Sequence, residues 1–140
     1  MGGRTSTLGR ALLILNIGER FLEGVMKKYH GRCHCGKVQF EVTINLDRVV
    51  RCNCSLCSRR GAIMHRVPPE QFTLLAGEES LTLYQFHTKT AKHYFCKVCG
   101  IYPFHRPRTA PELYAINVAC LEGVDSFELE PGLVDGHSYE

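Results

Sequence analysis

The sequence predicts an all-β fold built from small antiparallel sheets. Three observations predict it: strict apolar–polar alternation over residues 37–44, a succession of short strand-like runs separated by turn residues, and the absence of a sustained 3.6-residue period after residue 30. The chain has 140 residues, which is close to the usual size of one domain. We therefore predict a single β domain over residues 26–140.

The first of these strands is the best defined. Val38, Phe40, Val42 and Ile44 lie on one face of an extended chain, with polar residues between them, as in a strand that buries one face. Further strands are predicted over residues 62–67, 72–75, 81–86, 93–96, 101–106, 113–118 and 127–130. Proline and glycine turns separate them, and residues 68–71 are expected to begin one helical turn.

Residues 1–25 differ from the rest of the chain. They contain two arginines and a short apolar stretch, and glycines weaken a helix over residues 8–22. We expect an irregular or short helical leader outside the core, or a chain whose natural start is Met26. The longest apolar run, residues 11–15, is far below the roughly 20 residues that span a bilayer, so no membrane segment is predicted.

Composition narrows the class of function. The hydrophobic share of 44% and the charged share of 22% are ordinary for a globular protein and argue against a disordered chain. The net charge of +3 comes without a basic run, so nucleic-acid binding is not predicted. The unusual feature is eight cysteines, seven of them in tight groups. Such grouping without an export signal predicts metal ligation in a reducing compartment, and therefore a cytoplasmic protein.

Two of the cysteine groups predict a closed zinc site. Cys96 and Cys99 form a Cys-x-x-Cys-Gly turn in which Gly100 can take the positive φ that closes the turn. Cys33 and Cys35, at the mouth of a strand, are expected to lie on one face because strand side chains alternate. Together the two pairs supply four thiolates, the ligand number of a structural zinc site.

The remaining group, Cys52, Cys54 and Cys57, predicts an open metal site. Three protein ligands leave a fourth position free, as in catalytic zinc sites. Three thiolates on a divalent ion give a net charge near −1, which suits a thiol substrate better than activation of water. Redox-active cysteines, a disulfide framework, and a single shared cluster or an iron–sulfur centre are the alternatives. Cys120 stands alone and is expected to be a buried, small apolar residue.

Several segments carry a family likeness. Residues 31–42, 51–57 and 93–100, together with residues 117–121 and 135–136, resemble the glutathione-dependent formaldehyde-activating enzyme family, which includes centromere protein V. The resemblance implies a zinc-stapled β-tent fold with two zinc ions per chain. It implies that the structural ion is held by Cys33, Cys35, Cys96 and Cys99. It implies that the functional ion is held by Cys52, Cys54 and Cys57.

The resemblance also implies an activity. The family's named reaction adds glutathione to formaldehyde and gives S-hydroxymethylglutathione, formally a carbon–sulfur lyase reaction in reverse. We therefore expect an enzyme whose partners are a small thiol such as glutathione and a small aldehyde, with Cys52, Cys54 and Cys57 taking part in catalysis as ligands of the open zinc site. The alternatives are a non-enzymatic, zinc-stabilised binding module and a zinc carrier.

Other residues near the cysteines are weaker candidates. Arg59 and Arg60 follow the open-site group and can receive a substrate carboxylate, although a solvated turn is the simpler interpretation. His65 or His105 can act as a proton shuttle near neutral pH, although a structural role is the simpler interpretation for each. Tyr102 is expected in the core or in the lining of a cleft.

Overall fold

The computed structural model describes residues 26–139, which contain ten β-strands and one short α-helix. The elements are β1 (Lys27–Arg32), β2 (Gln39–Ile44), β3 (Val50–Cys52), α1 (Ser55–Arg60), β4 (Met64–Val67), β5 (Phe72–Ala76), β6 (Leu81–Tyr84), β7 (Lys92–Cys96), β8 (Phe104–Arg106), β9 (Tyr114–Asn117) and β10 (Gly132–Val134). Within these residues, no helix is long and apolar enough to cross a lipid bilayer.

The strands form two sheets. Strands β1, β2 and β5 make a three-stranded antiparallel sheet, and the other seven are ordered β10-β3-β4-β9-β8-β7-β6. Every neighbouring pair in the larger sheet is antiparallel except β10 and β3, which run parallel. The predicted all-β fold of small antiparallel sheets is confirmed. The parallel pair arises because the chain end returns beside β3.

The alternation of β2 builds the core as predicted. Phe40, Val42 and Ile44 are buried, while the residues between them are only partly covered. The ring of Phe40 lies over Gly31 of the paired strand, where an added Cβ would come within 2.3 Å of the ring. Gly31 therefore leaves the space into which the largest side chain of β2 packs.

Aromatic rings join the two sheets. Phe72 of β5 lies between Phe40 and Phe104, with ring centroids 5.5 Å and 4.9 Å away. Phe104 belongs to β8 of the larger sheet, so this cluster crosses from one sheet to the other. Ile116 of β9 is buried in the same core. Burial of such side chains contributes about 1.5–3 kcal/mol each, so this cluster stabilises the packing of one sheet on the other.

One predicted strand is wrong. Residues 127–130 do not form a strand, because Ser126–Glu128 is a turn of 3₁₀-helix. The carboxylate of Asp125 accepts a hydrogen bond from the Phe127 N–H at 3.0 Å and caps that turn. A short side chain that bonds its own backbone offers the chain an alternative to a sheet ladder.

Four elements were absent from the sequence prediction: β1, β3, β10 and α1. Each is only three to six residues long and lacks a sustained apolar alternation, so local periodicity carries no signal for it. The predicted helical turn over residues 68–71 is present as the 3₁₀-helix Pro69–Gln71. Residues 1–25, predicted as a leader, lie outside the described residues, and the domain boundary at residue 26 stays a prediction.

Candidate functional site

The first candidate centre is a four-cysteine cluster, formed by Cys33, Cys35, Cys96 and Cys99. Their Sγ atoms all lie within 4.8 Å of one another, and the sulfur atoms of Cys35 and Cys96 are 3.7 Å apart. Cys96 ends β7, and the chain turns back so that the Gly100 N–H donates to the Cys96 carbonyl at 2.7 Å. Gly100 has φ of 81°, as the Cys-x-x-Cys-Gly turn predicts.

The other two cysteines of this cluster are brought together in a different way from the one predicted. Cys33 and Cys35 lie in the turn between β1 and β2, and strand alternation does not bring them together. The turn is closed by hydrogen bonds from the Cys33 N–H to Val38 O at 3.0 Å and from the Gly36 N–H to Cys33 O at 3.2 Å. The Val38 N–H also donates to the Cys33 sulfur at 3.4 Å. The cluster thus joins a hairpin turn of the smaller sheet to one of the larger sheet.

The second candidate centre is a three-cysteine cluster, formed by Cys52, Cys54 and Cys57. Their Sγ atoms also lie within 4.8 Å of one another. Cys52 ends β3, Cys54 caps α1 and Cys57 lies in its first turn. The Cys57 N–H donates to the Cys54 sulfur at 3.3 Å, and the Cys54 N–H donates to the Cys52 sulfur at 3.5 Å. The backbone at the start of the helix therefore gathers the three sulfur atoms.

Both clusters could bind zinc, because thiolates at this spacing are among its preferred ligands. The two differ in number of ligands and in access. The three-cysteine cluster lines a cavity of about 120 Å³. The wall facing it contains His93, His105 and Phe86. Three sulfur ligands beside an open cavity leave a position at which a small molecule could bind.

The end of the chain closes one side of this cavity. We call residues 132–139 the C-terminal strap; its Val134, Gly136 and Tyr139 line the cavity. At Gly136 an added Cβ would lie 2.4 Å from the Cys52 sulfur, so a side chain cannot be accommodated without a shift. Glycine therefore permits the strap to pass directly against the cluster.

Asn53, between two of the cluster cysteines, holds the strap. Its side-chain oxygen accepts a hydrogen bond from the His137 N–H at 2.9 Å, and its amide donates to Asp135 at 3.0 Å. Its backbone N–H donates to Val134 O at 3.1 Å. Hydrogen bonds from Ser138 and Asn53 lower the pKa of Asp135, so this carboxylate stays charged as an acceptor.

Arg60 contacts the cluster from the helix. It lies three residues after Cys57 and so on the same face of α1. Its Nη2 donates to the Cys57 sulfur at 3.4 Å, and its Nη1 is 3.3 Å from Nδ1 of His93. The guanidinium lies over the ring of Tyr102, 3.6 Å from the centroid. Arg59, in contrast, is exposed and donates to the Ser55 carbonyl at 2.8 Å.

The two buried histidines beside the cavity are uncharged at neutral pH. Burial, and then the charge of Arg60, lowers the pKa of His93 to about 4. Burial also lowers the pKa of His105 well below its ordinary value, and the charge of Arg60 acts in the same direction. Because a guanidinium can only donate, Nδ1 of His93 accepts and its proton lies on Nε2. The Tyr102 hydroxyl is 2.7 Å from Nδ1 of His105.

Burial also raises the pKa of two of the thiols. Burial raises the pKa of the Cys57 thiol to about 12, although the charge of Arg60 opposes the rise. Burial also raises the pKa of Cys120 to about 12, in keeping with its predicted role as a buried small residue. All eight cysteines are free thiols.

The structure separates the weaker candidates. His105 lies at the cavity, whereas His65 lines neither of the cavities beside the cluster and donates from Nδ1 to the Arg66 carbonyl at 2.9 Å. Tyr102 is buried and also lines a neighbouring cleft of about 710 Å³. The sequence analysis assigned no role to His93, and it missed the strap and the contact of Arg60 with Cys57. The i, i+3 spacing of Cys57 and Arg60 would have indicated the last, had α1 been predicted.

Comparisons with known proteins show which family the chain resembles. Residues 28–133 match the family described as glutathione-dependent formaldehyde-activating enzyme. The chain is also similar to a protein of Rhodobacter sphaeroides with a solved crystal structure. The two are 47% identical with a TM-score of 0.72, over 77% of this chain and 100% of that chain. Both cysteine clusters fall within the family match, whereas most of the strap follows its last residue.

Proposed function

This chain belongs to the glutathione-dependent formaldehyde-activating enzyme family, and we propose that it joins a small thiol to a small aldehyde at the three-cysteine cluster. For glutathione and formaldehyde, the thiolate sulfur forms a bond to the carbonyl carbon. The carbonyl π electrons move to oxygen, which takes the proton that the thiol released. The product is S-hydroxymethylglutathione, nothing is oxidised or reduced, and the reverse direction is a carbon–sulfur lyase reaction.

Two zinc ions per chain are the cofactors in this proposal. The donor sets fit them, since four thiols in one cluster and three in the other have sulfur atoms within 4.8 Å of one another. Cys33, Cys35, Cys96 and Cys99 would hold the structural ion, and Cys52, Cys54 and Cys57 the functional one. When bound at the three-cysteine cluster, zinc supplies a positive centre with one open position that favours the thiolate form of a thiol.

The observation that carries the proposal is the cavity at the three-cysteine cluster. Its volume of about 120 Å³ is somewhat below the roughly 150 Å³ of an engineered protein cavity that binds benzene. An aldehyde of one or two carbons and the sulfur end of a thiol fill such a space. The rest of a peptide thiol must therefore lie outside it, which makes the cavity a reaction chamber and leaves substrate recognition to its rim.

The residues around the chamber suit addition to a carbonyl. His93 is neutral, with its proton on Nε2, and we assign it to orient the aldehyde oxygen by donating a hydrogen bond. Phe86 stacks on His93 at 5.8 Å between ring centroids and keeps water from that side. The strap covers the three-cysteine cluster where Gly136 lies against the Cys52 sulfur. A neutral donor in a small, covered cavity holds the oxygen without protonating the thiolate.

The proposal is tested by the rate of adduct exchange. Zinc-loaded protein is added to glutathione and formaldehyde at equilibrium, and exchange NMR measures formation and breakdown of the adduct against a protein-free blank. We expect exchange faster than the blank, lost in Cys54→Ser. Cys120→Ser is the matched control, because that thiol is buried but lies in neither cluster.

Two outcomes would contradict the proposal. Exchange no faster than the blank, with two zinc ions bound, would retire this reaction and favour a zinc-stabilised binding module. Exchange that survives Cys54→Ser would remove the reaction from the three-cysteine cluster. We also propose a cytoplasmic location, because a reducing compartment keeps the seven cluster cysteines as the free thiols that both clusters require.

A further inference from the structure

Arg60 is a partly buried cation without a carboxylate partner. Among residues 26–139, the ion pairs all involve other side chains, and none brings an acid within 4.0 Å of its guanidinium. Its Nε is buried and has no hydrogen-bond partner. A charge removed from water is costly unless an opposite charge compensates it. The surroundings of Arg60 must therefore contain an anion of another kind.

The contacts of the guanidinium identify that anion. It meets the face of the Tyr102 ring at 3.6 Å, the neutral ring of His93 at 3.3 Å and the Cys57 sulfur at 3.4 Å. Burial raises the pKa of Tyr102, so its hydroxyl stays protonated. The sulfur of Cys57 is then the one contacting group that can carry negative charge. Arg60 therefore contacts a sulfur that becomes a thiolate when it binds a metal ion.

We propose that Arg60 is a positioning residue that sets the net charge of the three-cysteine cluster and thereby its preference for an anionic fourth ligand. The inference rests on the proposed function, because it assumes a divalent metal ion at the cluster. Three thiolates and such an ion carry −1, and a fourth thiolate makes the sum −2. The guanidinium offsets one of these negative charges. A neutral fourth ligand adds no charge, so the sum for the ion and its ligands stays at −1.

This difference gives the proposal a signature that a merely structural role lacks. Loss of the guanidinium charge should weaken binding of a thiolate much more than binding of a neutral ligand. The expected factor is about 10- to 100-fold, which corresponds to one hydrogen bond to a charged group. Loss of packing alone would weaken both ligands together or neither.

The experiment uses the protein loaded with Co²⁺, whose absorption bands report the ligands. Wild type, Arg60→Met and Arg60→Lys are titrated with 2-mercaptoethanol, which binds as a thiolate, and with imidazole, which binds neutral. Arg60→Met keeps an apolar stem against Tyr102 but no charge. Arg59→Met is the matched control, since it removes the same charge from an exposed position on the same helix.

We expect Arg60→Met to lose 10- to 100-fold in affinity for 2-mercaptoethanol with imidazole affinity changed less than threefold. Arg60→Lys should keep most of the thiolate affinity, and Arg59→Met should match wild type. Equal changes for both ligands, or the same change in Arg59→Met, would overturn the role of Arg60. If Arg60→Met does not fold, Arg60→Gln against Arg60→Lys decides in the same way.

The metal site and the role of Arg60 are contradicted by different results. A wild-type chain that binds one Co²⁺ instead of two contradicts the metal at the three-cysteine cluster and, with it, the role of Arg60. Two bound ions with no ligand selectivity lost in Arg60→Met contradict the role of Arg60 alone. The proposed reaction then still stands or falls on its own rate measurement.

Discussion

The two cysteine clusters use the same side chain in opposite ways. The four-cysteine cluster joins residues 61 positions apart, such as Cys35 and Cys96, and connects a turn of the three-stranded sheet to one of the seven-stranded sheet. The three-cysteine cluster lies within one segment of six residues, from Cys52 to Cys57. A metal ion in the first would tie distant parts of the fold together, whereas an ion in the second is held locally.

Thermodynamic linkage turns this difference into an expectation. A ligand stabilises a protein only as far as it binds the folded state better than the unfolded state. Four cysteines on two distant hairpins meet only in the folded chain, so binding there contributes to folding in full. Three cysteines in one short segment can gather around an ion even in the unfolded chain. Metal at the three-cysteine cluster should therefore serve function more than stability.

The largest effect is expected for Cys96→Ser. Structural zinc contributes an apparent 10–16 kcal/mol in small modules, against about 5–15 kcal/mol for the whole stability of a domain. We expect the variant to lose most of its folded population in zinc-containing buffer, measured by circular dichroism and urea unfolding. Cys120→Ser serves as the control, and a cooperatively folded Cys96→Ser chain of near wild-type stability would refute the structural role of the cluster.

A smaller effect on stability is expected for Cys54→Ser. The chain should lose only about 1–3 kcal/mol of unfolding free energy, because the site is local and because serine also caps helices well. Its hydroxyl can accept the Cys57 N–H that the thiol now accepts at 3.3 Å. Urea unfolding at a fixed zinc concentration measures the loss. A collapse as deep as that of Cys96→Ser would erase the distinction between the clusters.

Gly136→Ala tests the contact between the strap and the three-cysteine cluster. The new Cβ would lie 2.4 Å from the Cys52 sulfur, so strap or sulfur must move. Overpacking of this kind costs about 1–3 kcal/mol. We expect weaker zinc binding in a chelator competition, by about tenfold. Gly132→Ala is the matched control on the same strap, because a Cβ there meets nothing within 4 Å; equal affinities in the two variants would count against the contact.

The smallest effect concerns pH. The pKa of His93 is about 4 when folded, against the ordinary 6.5, so the unfolded chain binds more protons between these values. The stability that neutral His93 contributes is fully present above pH 6.5 and is lost as the pH falls towards 4. When the pH falls from 7 to 5, we expect the unfolding free energy of His93→Gln to decrease by about 1 kcal/mol less than that of wild type, after discounting for solvent screening. Parallel urea midpoints for the two chains would contradict this.

Local pattern was a sound guide wherever a residue's role depends on its near neighbours. The alternation around Phe40 predicted β2 and its buried face, and Gly100 has the positive φ that its turn requires. The same reasoning failed where a local bond competes with a ladder, as at Asp125 and residues 127–130. The same reasoning predicted that Cys33 and Cys35 lie close together, but for the wrong reason. A hairpin turn, and not one face of a strand, brings them together.

The sequence by itself determined the all-β class, the apolar face of β2 and the grouping of the cysteines, because these depend on residue type and on spacings of a few positions. Only the tertiary structure decided what surrounds the three-cysteine cluster. His93 and Gly136 reach it from β7 and the strap, which are far away in the chain. Arg60 lies near it on α1, and its contact with His93 joins the two sides. The neutral state of His93 also follows from burial, which arises when the sheets pack and which no local spacing encodes.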